Sequence, residues 1–321
     1  MSHGMLDRRV VHVAENIELS PTLRQARVGP RHVTADDERA LRRKVWRTVY
    51  EVFHAGLELR EADGGGAASG QDGPHPELVA EYSRRVPHGT SRASGTVIER
   101  TQEWTVGDLN GVRVRFPTER TSASEHGGGT AVFEVGSRRP ALSPGFFAVT
   151  GSAGSLRRGP VLRVYVNAGS PRSAVAVWEA ALQCLEGRRA RYQAKAVSRP
   201  GSVTRRDSVV VYLDATSLPL LPELTSAISQ QGPAPSVPFF AHELAPGIAV
   251  AWEPRTMASA AVSFGQHRAE VITDAVFEFR RDPEGRFERT AREHLERAFI
   301  DPENISRNVD SPRLDLPNTT F

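Results

Sequence analysis

The segment ARYQAKAVSRPG, residues 190–201, contains Lys195, one of only two lysines among the 41 lysine and arginine residues of the chain. The other is Lys44. A solvated cation on a strand can equally be arginine. What lysine alone offers is a proton that can be removed under biological conditions, so Lys195 reads as a candidate general base. The apolar segments around it carry arginine and tyrosine at alternate positions: Arg163, Tyr165 and Asn167 in LRVYVN, Arg191, Gln193 and Lys195 in RYQAKAV, and Arg206, Ser208, Val210 and Tyr212 in RDSVVVYL. Alternate residues of a strand share a face. If the three strands pair with those faces aligned, they form a cationic floor with a lysine in it, whereas a slip of one residue scatters the set. Alternating polar residues also suit half-buried strands that merely face water; only the scarcity of lysine argues for more.

The elements that must position these residues are legible in the surrounding pattern. VLRVYVN, ARYQAKAV and RRDSVVVYLD read as strands, and SPRSAVAVWEAALQCLEG as a helix with Ser170 as N-cap, Pro171 in its first turn and Gly187 as its stop. LPLLPELTSAISQ reads as helical, and PFFAHELAPGIAVAWEP as a loop entering a strand. SFGQHRAEVITDAVFEF and FERTAREHLERAF read as two further helices. Upstream, residues 34–61 read as a helix capped by Thr34 and Asp37, with Leu41, Val45, Val49, Val52, Phe53 and Leu57 at helical spacing. Short strands are expected at Thr96–Trp104, Val112–Phe116, Ala131–Val135 and Phe146–Thr150, and ADGGGAASGQDGPHP and SEHGGGT read as flexible loops. The expected fold is α+β: a central, mainly antiparallel sheet with packed helices and a helical N-terminal region. Its expected divisions are an N-terminal region at 1–140, a main domain at 141–300 and a C-terminal tail at 301–321.

Composition narrows the function classes. The formal net charge is +3, and the arginines are interleaved with acids, as in RRDPEGRFERTAREHLER, which describes a solvated helix face rather than a nucleic-acid patch. No apolar run approaches the roughly 20 residues of a membrane span, and the first residues lack the apolar stretch of a secretory signal. Cys184 is the only cysteine, so neither an internal disulfide nor a multi-cysteine metal site is expected. A cytoplasmic location is the expectation. The pair His242–Glu243 lacks the second histidine of a zinc motif, Ser263 lacks the context of a nucleophile elbow, and no glycine-rich loop carries a phosphate-binding lysine.

The run RVYVN … AVAVWEAAL … YQAKAV … RRDSVVVYL … PFFAHELAPGIAVAWEP … SFGQHRAEVI, roughly residues 143–280, resembles the HopA-type family. That family comprises type III effectors of plant pathogens and lyases encoded with class V lanthipeptide and thioamitide peptides. The resemblance implies phosphothreonine/phosphoserine lyase chemistry without metal or organic cofactor. A neutral lysine removes the α-proton of a phosphorylated residue, phosphate leaves, and a dehydroamino acid remains. By position Lys195 matches the family's base, and cationic neighbours and burial both favour a neutral lysine. Arg163, Arg206 and Arg268 are the implied phosphate ligands. Asn167, Asp207 and Tyr212 are weaker orienting candidates. Phosphothreonine lyases of animal pathogens use a histidine upstream of the base as general acid, but none lies between His126 and His242. Tyr165 or His267 must then serve, or phosphate leaves unassisted; the expectation leans to Tyr165 as donor and His267 as its organiser. The implied partners are a phosphorylated ribosomal precursor peptide and a separate kinase-like protein, since the chain has no kinase signature. The alternative is a non-catalytic phosphopeptide-binding or effector-type protein on the same fold.

Overall fold

The computed structural model describes residues 4–57, 73–123, 129–254, 263–283, 285–316 and 319–320. Helix α1 (Arg8–Glu15) leads into a three-stranded antiparallel sheet of β1 (Ile17–Leu19), β2 (Gln25–Val28) and β3 (Arg31–Thr34). Helix α2 (Glu38–Val49) follows and widens into a π-helical turn, Tyr50–His54. The helix expected from residue 34 therefore starts later. Thr34 ends a strand, and Asp37 alone is the N-cap, its carboxylate accepting from the Ala40 amide. The glycine-rich loop after it lies almost wholly outside the described residues, as does most of SEHGGGT.

After α3 (Pro76–Arg84), strands β4 (Thr90–Arg100), β5 (Trp104–Leu109), β6 (Val112–Pro117), β7 (Thr121–Ala123) and β8 (Thr130–Gly136) form a five-stranded antiparallel sheet in the order β6-β5-β4-β8-β7. The strand expected at 96–104 is in fact the end of one hairpin arm and the start of the next. The main sheet has seven strands in the order β14-β15-β11-β13-β12-β10-β9. These are β9 (Arg138–Ser143), β10 (Phe146–Thr150), β11 (Val161–Val166), β12 (Tyr192–Val197), β13 (Val209–Asp214), β14 (His242–Ala245) and β15 (Ile248–Trp252). All its pairings are antiparallel. The fold is α+β, as the sequence predicts.

The two faces of this sheet are buried differently because successive side chains point to opposite sides. Leu162, Val164, Val166, Val211 and Val250 join Trp178, Leu182 and Leu224 of α4 (Pro171–Gly187) and α5 (Leu221–Ser229) in one core. Helix α4 is capped at Ser170, but Gly187 is its last residue rather than its stop. On the other face Tyr165, Val210, Ala249 and Ala251 share a core with α1, α2, α6 (Phe264–Arg281) and α7 (Phe287–Arg297). Ser263 and Gln266 close a reciprocal capping box at the start of α6, which gives Ser263 a structural use. Among the described residues no helix is long and apolar enough to cross a membrane.

Candidate functional site

The register aligns the faces that hold the chemistry-bearing side chains. Arg163 on β11 lies opposite Tyr212 on β13, which lies opposite Gln193 on β12. In the next row Tyr165, Val210, Lys195 and Ala148 run across four strands. Two cations from different strands meet at one ring: the Arg163 guanidinium carbon lies 5.1 Å from the Tyr212 ring centre, and Lys195 Nζ lies 5.8 Å from the same centre. Lys195 Nζ also sits 4.5 Å from the Phe146 ring centre. Among the described residues Lys195 makes no hydrogen bond or ion pair, so two aromatic faces support it and no carboxylate neutralises it.

Arg163 is buried and held by Glu253, just past β15. Its Nε and Nη2 both donate to that carboxylate, Nη2 at 2.6 Å. Nη1 reaches the Tyr165 hydroxyl at 3.4 Å. Tyr165 is 2% exposed, beside Phe264, and burial pushes its phenol far above the ordinary range. Tyr212, in contrast, is partly exposed between Arg163 and Lys195. Tyr165, the expected donor, is covered by the His54 and Phe264 rings, whereas the Tyr212 ring is open to the solvent side in part.

The three arginines expected to cradle one anion serve different parts of the fold. Arg206 precedes β13 instead of lying on it. Its backbone N–H donates to the Ala55 carbonyl at 3.0 Å, and its Nη1 to the Phe53 carbonyl at 3.1 Å, so it braces the end of the π-helical turn. Arg268 is fully buried in α6. Its Nε donates to the Ile305 carbonyl (2.9 Å), and its Nη2 to the Arg307 carbonyl (2.9 Å) and Asn308 Oδ1 (2.8 Å). Asn308 Nδ2 in turn donates to the Glu253 backbone carbonyl at 2.8 Å, so Arg268 ties residues 305–308 to the backbone of the residue whose carboxylate holds Arg163. Burial lowers the Arg268 guanidinium to about 9, which leaves it charged at neutral pH. Arg268 Nη1 donates to His267 Nδ1 at 2.8 Å. Burial first, and the Arg268 charge second, push His267 down to about 4. His267 is neutral and carries its proton on Nε2, so it suits an organiser and not an acid.

Asp207 also lies before β13. It accepts from Arg205 Nε (2.8 Å), Arg205 Nη2 (3.0 Å) and the Tyr50 hydroxyl (3.0 Å). Burial works against its charge, but the Arg205 guanidinium outweighs this and holds the carboxyl well below the usual range. Asn167 is turned into the protein, its amide donating to Ser236 O (2.8 Å) and Oγ (2.9 Å).

His54 is a residue that sequence reasoning passed over. The π-helical turn drives its ring into the sheet core, 5.6 Å from the Tyr165 ring and stacked on Phe240 at 5.4 Å. Gly265 makes this possible, since a Cβ there would lie 2.2 Å from His54 Cδ2. No local motif announces such a histidine; only the packing of α2 against α6 brings it in. Burial pushes His54 down to about 3. Below pH 6.5 the unfolded chain therefore takes up a proton on His54 and on His267, while the folded chain does not until pH approaches 3 and 4. Stability is full above pH 6.5 and falls as pH drops through that window, by on the order of a few kcal/mol. The urea midpoint of the wild type is expected to fall between pH 7 and 4.5, and that of His54→Gln to fall less. Identical slopes would remove His54 from the acid sensitivity.

The sequence profile of the HopA1 effector protein family matches residues 137–307, just over half of the chain. Two solved structures are similar to it. The effector protein from Pseudomonas syringae pv. tomato strain DC3000 shares 16% identity, with 82% of this chain and 90% of that chain covered and a TM-score of 0.47. The effector protein from Pseudomonas syringae pv. syringae strain 61 also shares 16% identity, with 84% and 92% covered and a TM-score of 0.47. None of the curated proteins matches the chain.

Proposed function

The chain belongs to the HopA1 effector protein family, and we propose that it is a lyase that eliminates phosphate from phosphothreonine or phosphoserine in a ribosomal precursor peptide phosphorylated by a separate kinase-like protein. The observation that carries this reading is the meeting of Lys195 and Arg163 on the Tyr212 ring, with no acid paired to the lysine among the described residues. In the proposed step the Lys195 amine takes the α-proton on its nitrogen lone pair. The C–H electrons form the Cα=Cβ bond, the Cβ–O bond breaks, and phosphate departs with that electron pair. Arg163, fixed by Glu253 and so preorganised, stabilises the charge growing on the phosphate. Tyr212, between base and cation, donates to the departing oxygen. The residues that hold the site are a carbon–oxygen lyase set in which no step calls for a cofactor.

The test is mass spectrometry of a synthetic phosphothreonine peptide incubated with the protein. The expected product is one water lighter than the unphosphorylated peptide. Inorganic phosphate with a restored hydroxyl would mark a phosphatase and overturn the reading. Acid assistance contributes about 10²–10⁴-fold, so Tyr212→Phe is expected to slow elimination by at least about 10²-fold. Tyr165→Phe and His267→Asn, which alter buried groups, should change it far less. A larger loss in Tyr165→Phe, with the fold intact, would return the donor role to Tyr165.

A further inference from the structure

Several arginines of the described surface meet an acid, as in Arg27–Glu18, Arg42–Asp274, Arg85–Glu179 and Arg188–Glu223. One cavity of about 350 Å³ instead gathers four arginines at one place. It opens where β4 of the five-stranded sheet meets the segment leading into β11 and the residue before β12. Arg92, Arg157, Arg158 and Arg191 all line it, and among the described residues no acidic or aromatic one does. None of the four takes part in an ion pair among the described residues. Four guanidinium groups around one hollow repel each other, and an anion between them relieves that repulsion.

The hollow is built by fixed backbone. The Arg92 N–H donates to the Ser152 carbonyl at 3.3 Å, joining β4 to the loop. Gly154, at φ +106°, lies so close to the strand that a Cβ would sit 2.5 Å from the Arg92 carbonyl oxygen. The Arg157 N–H donates to Asp214 Oδ2 at 2.8 Å, which anchors the loop and leaves the Arg157 side chain to the cavity. Arg191 Nη1 donates to the Ser155 carbonyl at 3.1 Å.

Arg191 precedes Lys195 by four residues on the same run of chain, a separation of about 13 Å in extended backbone. An extended peptide covers that distance in about four residues. The absence of aromatic side chains from the lining argues against a base-stacking nucleic-acid ligand. Resting on the lyase reading above, we propose that this cavity is a substrate subsite, which receives the carboxylates of acidic residues about four positions from the phosphorylated residue held at Lys195.

Fluorescence anisotropy with labelled peptides tests this. Each peptide carries a non-eliminable phosphonate in place of the phosphoester, and an Asp pair or an Asn pair placed four and five residues before or after it. One Asp peptide is expected to bind the wild type about tenfold tighter than its Asn counterpart. The Arg157→Ser/Arg158→Ser double variant should lose that preference. Arg157→Glu/Arg158→Glu should prefer a peptide with a Lys pair at the same positions. Equal affinity for all Asp and Asn peptides overturns the subsite, as does an oligouridylate that outcompetes the acidic peptide. Elimination is scored separately on phosphothreonine peptides. A charge-dependent preference without elimination defeats the lyase reading and leaves the acidic-peptide site standing, whereas elimination without a charge preference defeats the subsite alone.

Discussion

Lys195→Arg should keep the fold and the affinity for phosphopeptide while elimination falls by about 10³-fold or more. Arginine keeps the positive charge and stacks on aromatic rings at least as well as lysine, so the Phe146 and Tyr212 contacts persist. It cannot give up its proton near neutral pH, and a base that is always protonated takes no α-proton. The same substitution separates the two readings of this family member. A lyase loses its reaction and accumulates phosphopeptide; a phosphopeptide-binding protein without catalysis shows no change. The measurement is mass spectrometry of the peptide beside a binding titration. Turnover within a few-fold of wild type would falsify the assignment of Lys195 as base.

Arg268→Leu should lower stability by about 3–5 kcal/mol, the cost of leaving three buried neutral acceptors without their donor. The Ile305 and Arg307 carbonyls and Asn308 Oδ1 all lose a hydrogen bond at once. Asn308 is then released from its link to the Glu253 carbonyl, so Arg163 loses part of its support as well. The expected result is a much lower urea midpoint, with near-normal phosphonate-peptide affinity in the protein that remains folded. Unchanged stability with affinity abolished would instead make Arg268 a phosphate ligand. The prediction inverts the role that the SFGQHR motif suggests from sequence, where an arginine beside a histidine at a helix start resembles an anion site.

The strands LRVYVN, YQAKAV and VVVYL were legible because period-two alternation marks a face, and the antiparallel register does align those faces as the alternation allows. Helix α4 was legible from Ser170 and Pro171, and α6 from its apolar spacing. Local chemistry writes such signals into neighbouring residues, so the sequence by itself determined the α+β class, the order of the main elements and the face that carries Lys195. It could not say which charged side chains on that face stay available. Arg206 and Asp207 look like strand residues, yet the strand begins at Val209 and both are taken up by the helical layer, at Phe53 and at Tyr50 and Arg205. Arg163 and Arg268 look alike in sequence, but one is held by Glu253 beside Tyr212 and the other closes on carbonyls of residues 305–307. His54 enters from a helix far upstream because Gly265 leaves room for its ring. Those outcomes depend on partners distant in the chain, and a buried charge must find its counter-charge or carbonyls wherever packing places them. Tertiary structure alone decided which cations the fold takes up and which, like Lys195, have no acid partner among the described residues.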